Sequence, residues 1–367
     1  MKILHTADTH LKEHGDQRWI ALEEILKIGE KEKIDLMVVS GDLFDKNTDA
    51  EKLRLHIRNI FSHTNFDIII VSGNHDFNSY KDYMDFGDNV KIIKEINSPL
   101  QYKDVVIWGI PFKEGMDQKD MALTLFSLKE KIKPGKINIL VLHCELILER
   151  SFSEEDFGNE GGINYMPVKL SSFNKLNFNY ILAGHFHSKF NSFKLGNGGY
   201  FVYPGSPISI TKKEKGKRAV NIFEVGKSPQ HFHLNTPFYE DVTIELNPFD
   251  NKNPIEMIKK KLNNISSNAI PLITVKGFIN GEKIGMGEKK LKEEINKIIK
   301  NIKKKINLWE EDSFVSKILD VREILEDDLF IRFNKKLEQK EYPNEDKKNI
   351  KEIVIEAMIN KKAYENS

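Results

Sequence analysis

Five short segments carry the side chains that a phosphoester-cleaving centre with two metal ions would need. They are Asp8-Thr9-His10, Gly41-Asp42-Leu43-Phe44-Asp45, Gly73-Asn74-His75-Asp76, His143, and Gly184-His185-Phe186-His187. Hard carboxylate and amide oxygens with neutral imidazoles suit two neighbouring divalent cations that share one carboxylate. We read Asp8, His10, Asp42 and His187 as ligands of a first ion. Asp42 is the bridge, and Asn74, His143 and His185 complete a second ion. Ions ~3.5–4 Å apart clamp phosphate oxygens during in-line displacement, and by acidifying water they make hydroxide available near neutral pH. His75 stands outside this set. Beside Asn74 it suits a general acid for the leaving oxygen, or a donor to phosphate charge, with Asp76 or Asp45 fixing its tautomer. Asp-x-His alone arises by chance, and Gly-His-x-His alone fits a surface turn. Their order and their common position after apolar runs carry the reading.

Those runs are Lys2-Ile3-Leu4, Leu36–Val39, Ile68–Val71, Ile139–Leu142 and Tyr180–Ala183. Near-continuous apolar runs mark strands covered on both faces, and such sheets collect ligands outside the strand ends. Between the runs, Ala21, Leu22, Ile25, Leu26 and Gly29 recur at helical spacing. Leu53, Ile57, Ile60 and Phe61 do so again after Asp49, which we read as a helix cap. This βαβαβ order predicts an α/β fold, with a mainly parallel sheet flanked by helices. Val105–Trp108 and Tyr200–Tyr203 predict a second sheet and hence a sandwich. A polar loop from Ser151 to Gly162 follows the His143 strand and could overhang the site.

The first domain is expected to span 1–235. A compact unit follows at 236–312, with strands over Tyr239–Leu246 and Ile270–Phe278 and helices over Ile255–Ile265 and Lys289–Ile306. Residues 313–367 read as a charged helical tail. Its stripe of Ile318, Val321, Ile324, Leu325, Ile350, Ile353, Val354 and Met358 has no further core in view, which points to docking on a partner.

Composition sets outer limits. The 367 residues are 40% hydrophobic and 30% charged, ordinary for a globular chain. With 56 basic and 55 acidic residues, a uniformly basic nucleic-acid coat is excluded, though a local basic patch is not. Such a patch is offered by Lys212, Lys213, Lys215, Lys217 and Arg218, which could meet phosphate backbones or form a solvated hairpin. The single cysteine, Cys144, allows no intrachain disulfide and reads as a small buried residue, so a reducing, cytoplasmic setting is expected. Met1-Lys2 leads straight into a strand and no apolar stretch approaches ~20 residues, so neither export nor membrane insertion is expected. His5 reads as a packing residue. His14, His56 and His63 read as surface residues, and His231 and His233 as alternate positions of a polar strand.

The order Asp-x-His, Gly-Asp-x-x-Asp, Gly-Asn-His-Asp, His, Gly-His-x-His resembles that of calcineurin-like metallophosphoesterases. The opening Ile3 to His10, Gly41 to Asp45, Gly73 to Asp76 and the turn Tyr203-Pro204-Gly205-Ser206-Pro207 resemble, more narrowly, the SbcD-type DNA repair exonuclease subunit. The resemblance is strong to about residue 225 and architectural beyond. It implies a two-sheet sandwich with an α+β capping domain and a C-terminal helical tail. It implies manganese-dependent cleavage of DNA phosphodiesters from 3′ ends, with endonuclease action on single strands or hairpins, in repair and recombination. It also implies a homodimer built through helices of the nuclease domain, and an SbcC-type coiled-coil ATPase held by C-terminal helices. On it, the 315–367 stripes become ATPase-docking helices, and Leu53, Ile57 and Phe61 a candidate dimer face unless they pack in the core. Some relatives have His where this chain has Asp45.

Two other functions compete. One is a metallophosphoesterase acting on phosphoproteins or cyclic nucleotides. The extra domain and helical tail exceed what a small phosphodiesterase needs, and protein phosphatases of the family it resembles typically have Arg-Gly after the second Asp of the Gly-Asp motif and Glu after Gly-Asn-His. This chain has Lys46-Asn47 and Asp76. A non-catalytic ATPase scaffold would have lost Asp42, Asn74 or His75.

Overall fold

The computed structural model describes residues 1–132, 135–147, 165–250, 253–303 and 314–365. The Ser151 to Gly162 loop lies outside them. The chain forms two compact units, Met1–Tyr239 and Glu240–Ser367.

The first unit begins β1 (Lys2–Thr6), α1 (Gln17–Glu32), β2 (Leu36–Ser40), α2 (Asn47–Ser62), β3 (Asp67–Val71) and β4 (Val90–Ile92), and these strands pair in parallel as expected. Next come β5 (Leu100–Tyr102), β6 (Val105–Ile110), α3 (Gln118–Lys129) and β7 (Ile137–His143). The short pair β8 (Leu146–Ile147) and β9 (Val168–Lys169) follows, then β10 (Tyr180–Gly184), β11 (Asn191–Lys194) and β12 (Tyr200–Tyr203). Strands β6, β7, β10 and β12 form the parallel heart of the second sheet, ordered β11-β12-β10-β7-β6-β5. Finally β13 (Ala219–Glu224) and β14 (His231–His233) return to the first sheet, ordered β14-β13-β1-β2-β3-β4.

Alternation along the buried strands builds the layers. On β2, Met37 and Val39 face the α1/α2 cluster, while Leu36 and Val38 join Ile69, Ile107, Ile139, Val141 and Leu182 between the sheets. On β7, Leu140 and Leu142 face the other way, toward the α3 side. Each fully buried side chain of this kind contributes about 1.5–3 kcal/mol. Helix α1 starts where the Asp16 carboxylate accepts the Trp19 N–H at 2.8 Å. Helix α2 starts earlier than expected, at Asn47, so Asp49 sits in its first turn rather than at its cap. Leu53, Ile57 and Phe61 are core residues, as the packing alternative expects, and so they do not form the dimer face that the resemblance offered for them.

The second unit holds β15 (Phe238–Leu246), which begins at the boundary, then α4 (Pro254–Asn263), β16 (Ala269–Ile279), α5 (Gly281–Ile284), α6 (Glu288–Lys303) and β17 (Phe314–Asp320). It ends with α7 (Arg322–Leu325), α8 (Asp328–Glu338) and α9 (Asn344–Glu365). Strand β17 corrects the helical reading of Ile318, for it pairs in parallel with β16, Ile318 opposite Gly277. Exposed Val315, Lys317 and Leu319 alternate with more covered Ser316 and Ile318, a period of two that outweighs the three-residue spacing of Ile318, Val321 and Ile324. The tail stripe also finds a core. Val321, Ile324, Phe330 and Ile355 are buried with Phe278, and Leu325, Val354 and Met358 pack against them; Ile350 is half-buried. Among the described residues, no helix is long and apolar enough to cross a membrane.

Candidate metal centre

The five motifs meet where the two sheets share their strand ends. Beyond β1 and β2 the chain stays paired: His10 N–H donates to the Asp42 carbonyl at 2.9 Å, and Asp8 N–H to that of Gly41 at 3.2 Å. From the other sheet, Gly184 and His143 are register partners. The backbone is strained here. Asp8 (φ 55°), His10 (50°), Asp42 (52°) and His185 (101°) all occupy the left-handed region, which costs about 1–3 kcal/mol per side-chain-bearing residue. Glycine explains the close approach of the segments. A Cβ on Gly73 would collide with Asp42 Oδ1, and one on Gly184 with the Ser40 carbonyl.

Asp8, His10, Asp42, His143, His185 and His187 are almost wholly buried. His10 Nε2 faces His187 Nε2 at 3.3 Å, and His187 Nε2 lies 3.8 Å from Asp8 Oδ1. Asp42 Oδ2 is 3.2 Å from His143 Nε2 and 3.8 Å from His10 Nε2, placing Asp42 between the two histidine sets. The triads Asp8–His10–His187 and Asp8–Asp42–His143 each bring their donor atoms within 4.8 Å of one another. Two imidazole nitrogens face to face cannot both carry protons, and Asp42 Oδ2 is buried without a hydrogen bond. A cation satisfies both, so the residues fit the metal ions that their types suggest. Asn74 lies between Gly73 and His75, whose N–H donates to Asp42 Oδ1 at 2.9 Å. His185 donates its own N–H to Asp8 Oδ1 at 3.0 Å, and its ring meets that of His143 edge-on at 5.2 Å.

The electrostatics follow from burial and crowding. Burial pushes the Asp8 carboxyl up to about 6, against the opposing His187 and His143. Burial acts upward on Asp42 as well, but His143, His10 and His75 outweigh it and hold the group below the usual carboxylate range. Burial would lower His143, yet Asp42 and Asp8 raise it to about 10.

His75 Nδ1 donates to the Asp45 backbone carbonyl at 2.9 Å, so Asp45 fixes this ring through its main chain. The Asp45 carboxylate faces Arg18 at 2.8 Å, Lys12 at 3.1 Å and His10 Nδ1 at 3.7 Å. The Asp76 carboxylate has other partners. It accepts from Gly73 N–H (2.8 Å), Leu43 N–H (2.9 Å) and Tyr80 Oη–H (2.7 Å), tying the Asp42 and Asn74 loops together. His5 is buried against Ser40 Oγ at 2.8 Å and Cys144 is buried, both as expected. His14, His56, His63, His231 and His233 are exposed, and the first two stack at 4.1 Å.

The basic run divides. Lys212, Lys213, Lys215 and Lys217 are exposed, but Arg218 is 1% exposed and donates to the carbonyls of His187, Ser188 and Ser206. Arg218 is therefore withdrawn as a DNA contact, since a guanidinium spent on three buried carbonyls cannot reach a phosphate. Glu214, in the same run, is buried beside His187 and escaped the sequence reading. A lone acid among lysines gives no sign of burial.

Residues 1–189 match the calcineurin-like phosphoesterase family, and the chain belongs to it. It is accordingly a metal-dependent phosphoesterase. Among curated proteins, it is similar to the SbcD subunit of the nuclease SbcCD of Staphylococcus epidermidis, 27% identical over 75% of this chain and 82% of that one. It is also similar to the DNA double-strand break repair protein Mre11 of Sulfolobus acidocaldarius, 22% identical over 75% of this chain and 74% of that one. The SbcD subunit of the same nuclease from Escherichia coli K12 is 24% identical over 66% of this chain and 70% of its own length.

Proposed function

We propose that this chain is the nuclease subunit of a DNA double-strand-break repair assembly, cutting DNA phosphodiesters with two manganese ions. The observation that carries it is the convergence of Asp8, His10, Asp42, Asn74, His143, His185 and His187 from five strand tips, in a chain whose relatives are named as DNA repair nucleases. Asp8, His10, Asp42 and His187 would hold one ion. Asp42, Asn74, His143 and His185 would hold the other. Bound divalent ions supply Lewis-acid polarisation of the phosphate and acidify water. The chain does the rest. With Nδ1 engaged by the Asp45 carbonyl, His75 Nε2 is the atom that delivers a proton to the leaving sugar oxygen. Asp76, through Gly73 and Leu43, keeps the loops carrying Asp42 and Asn74 in register.

On this reading Lys212, Lys213, Lys215 and Lys217 meet the DNA backbone, and the second unit caps the substrate. The exposed Leu329, Ile331 and Ile353 of α8 and α9 extend the half-buried Ile350 and Val354 as the surface for an SbcC-type coiled-coil ATPase. Exposed Ile20 and Leu55, on α1 and α2, replace Leu53, Ile57 and Phe61 as the homodimer surface. On the same reading the protein works in the cytoplasm, at the nucleoid in a prokaryotic cell.

Manganese-dependent digestion of end-labelled duplex DNA tests the proposal. His75→Ala is expected to lower turnover by about 10²–10⁴-fold while manganese still binds; Asp8→Ala is expected to abolish cleavage. Turnover of phosphoproteins or cyclic nucleotides, with no cleavage of DNA with or without an ATPase partner, would replace DNA as the substrate.

A further inference from the structure

The segment after the second sheet carries a charge pattern that the phosphoester chemistry leaves unused. Lys212 to Arg218 reads as a solvated basic run, yet its one acid, Glu214, is fully buried. A buried carboxylate is stable only when its partners are assembled around it, so those partners indicate its use. Glu214 Oε2 accepts from Ser206 Oγ at 3.1 Å and from Ile210 N–H at 2.8 Å. Glu214 Oε1 accepts from Thr211 Oγ1 at 3.1 Å and lies 3.5 Å from His187 Nδ1. The opposite edge of that ring, Nε2, faces His10 Nε2 and Asp8 Oδ1. The imidazole thus spans from a buried anion to the donor cluster of Asp8 and His10, which would hold the first ion. Arg218 clamps the same segment to the main chain that carries the ligand, through the His187, Ser188 and Ser206 carbonyls.

We propose that Glu214 is a positioning residue for the first metal site, orienting His187 through Nδ1 so that Nε2 presents its lone pair inward. The inference rests on the two-ion reading given above and adds to it a difference between the two ions. Behind His187 stands a full negative charge. Behind His143, Nδ1 donates to the neutral Ser40 carbonyl at 2.9 Å, and the nearest carboxylate on that edge, 3.9 Å away, belongs to Asp8, itself read as a ligand of the first ion rather than a dedicated partner of the ring. An anionic partner raises the donor strength of a metal-bound imidazole, so Glu214 favours the first ion and leaves the second untouched.

Manganese alone, titrated into the metal-stripped full-length chain and followed by electron paramagnetic resonance and calorimetry, tests this without any DNA. Wild type is expected to take up two ions. Glu214→Gln, which keeps shape and removes charge, is expected to weaken one of them by roughly 10–100-fold and to leave the other at its wild-type affinity. Thr211→Ala removes a hydrogen bond from the same carboxylate without removing the charge behind His187, and both ions should bind as in wild type. Melting of the metal-free chains isolates folding. Selective loss of one ion at an unchanged melting temperature supports the proposal. Wild-type affinity for both ions in Glu214→Gln, or equal weakening of both together with a lowered melting temperature, overturns it while the two-ion reading stands. A wild-type chain that takes up no manganese overturns both.

Discussion

The two units of this chain solve opposite problems. In the first, the interior holds Asp8, His10, Asp42, His143, His185, His187, Glu214 and Arg218, and every side-chain-bearing residue with a left-handed backbone among the described residues belongs to it. In the second, Lys351 is the one buried polar or charged residue described; the rest of the core is aliphatic or aromatic. Helices α4, α6 and α8 present one apolar stripe each and charge elsewhere, as propensity and patterning require. The contrast shows where local rules yield. The second unit obeys them because its interior has only to pack. The first breaks them at five strand tips because its interior has to hold cations.

The largest effect that would sharpen this contrast is in the second core. Ile258→Ala, at a fully buried position of α4, is expected to cost about 2–5 kcal/mol of unfolding free energy by denaturant titration. Manganese stoichiometry should stay at the wild-type value. Lost metal uptake would break the division of labour. Gly184→Ala comes next, in the first unit. Its methyl meets the Ser40 carbonyl and the His143 ring, and overpacking of this kind costs about 1–3 kcal/mol. Here metal uptake should fall as well; a variant that binds two ions normally would show the tips to be less tightly registered than the geometry demands.

The smallest effect is a pH dependence. Burial lowers His5 to about 3 from an ordinary 6.5, so the folded chain keeps it neutral while the unfolded chain protonates it. Stability is lost as pH falls below 6.5, and the loss stops growing below about 3. Near pH ~5.5 the loss is about 1 kcal/mol. His5→Gln should flatten the wild-type stability profile by that amount between neutral and mildly acid pH; parallel profiles would mean that His5 is hydrated.

How far the sequence could be read follows the same contrast. The tips were legible because each motif follows a short apolar run dominated by Ile, Leu and Val, which reads as a covered strand. Helices α1, α4 and α6 were legible from their spacing. Strand β17 was not, because Ile318, Val321 and Ile324 fit a helix while the alternation from Phe314 fits a strand, and only the pairing with β16 decides. The support behind the ligands was the least legible. Asp76 seemed placed to serve its neighbour His75, but its acceptors are spent on Gly73, Leu43 and Tyr80. Arg218 and Glu214 looked like surface charge. Residue type records what a side chain can donate or accept, and tertiary contacts alone decide whether it faces water.

One feature of the centre reaches beyond chemistry. Asp8, His10, Asp42 and Asn74 descend from one sheet, and His143, His185 and His187 from the other, so occupied ligand positions would bolt the two halves of the sandwich together. Loading then doubles as a mechanical latch. A ligand that binds only the native chain raises its stability in proportion to the logarithm of concentration over affinity. The seam between the sheets would therefore tighten as the cell's supply of divalent ions rises, and prying it open would demand release of the ions first.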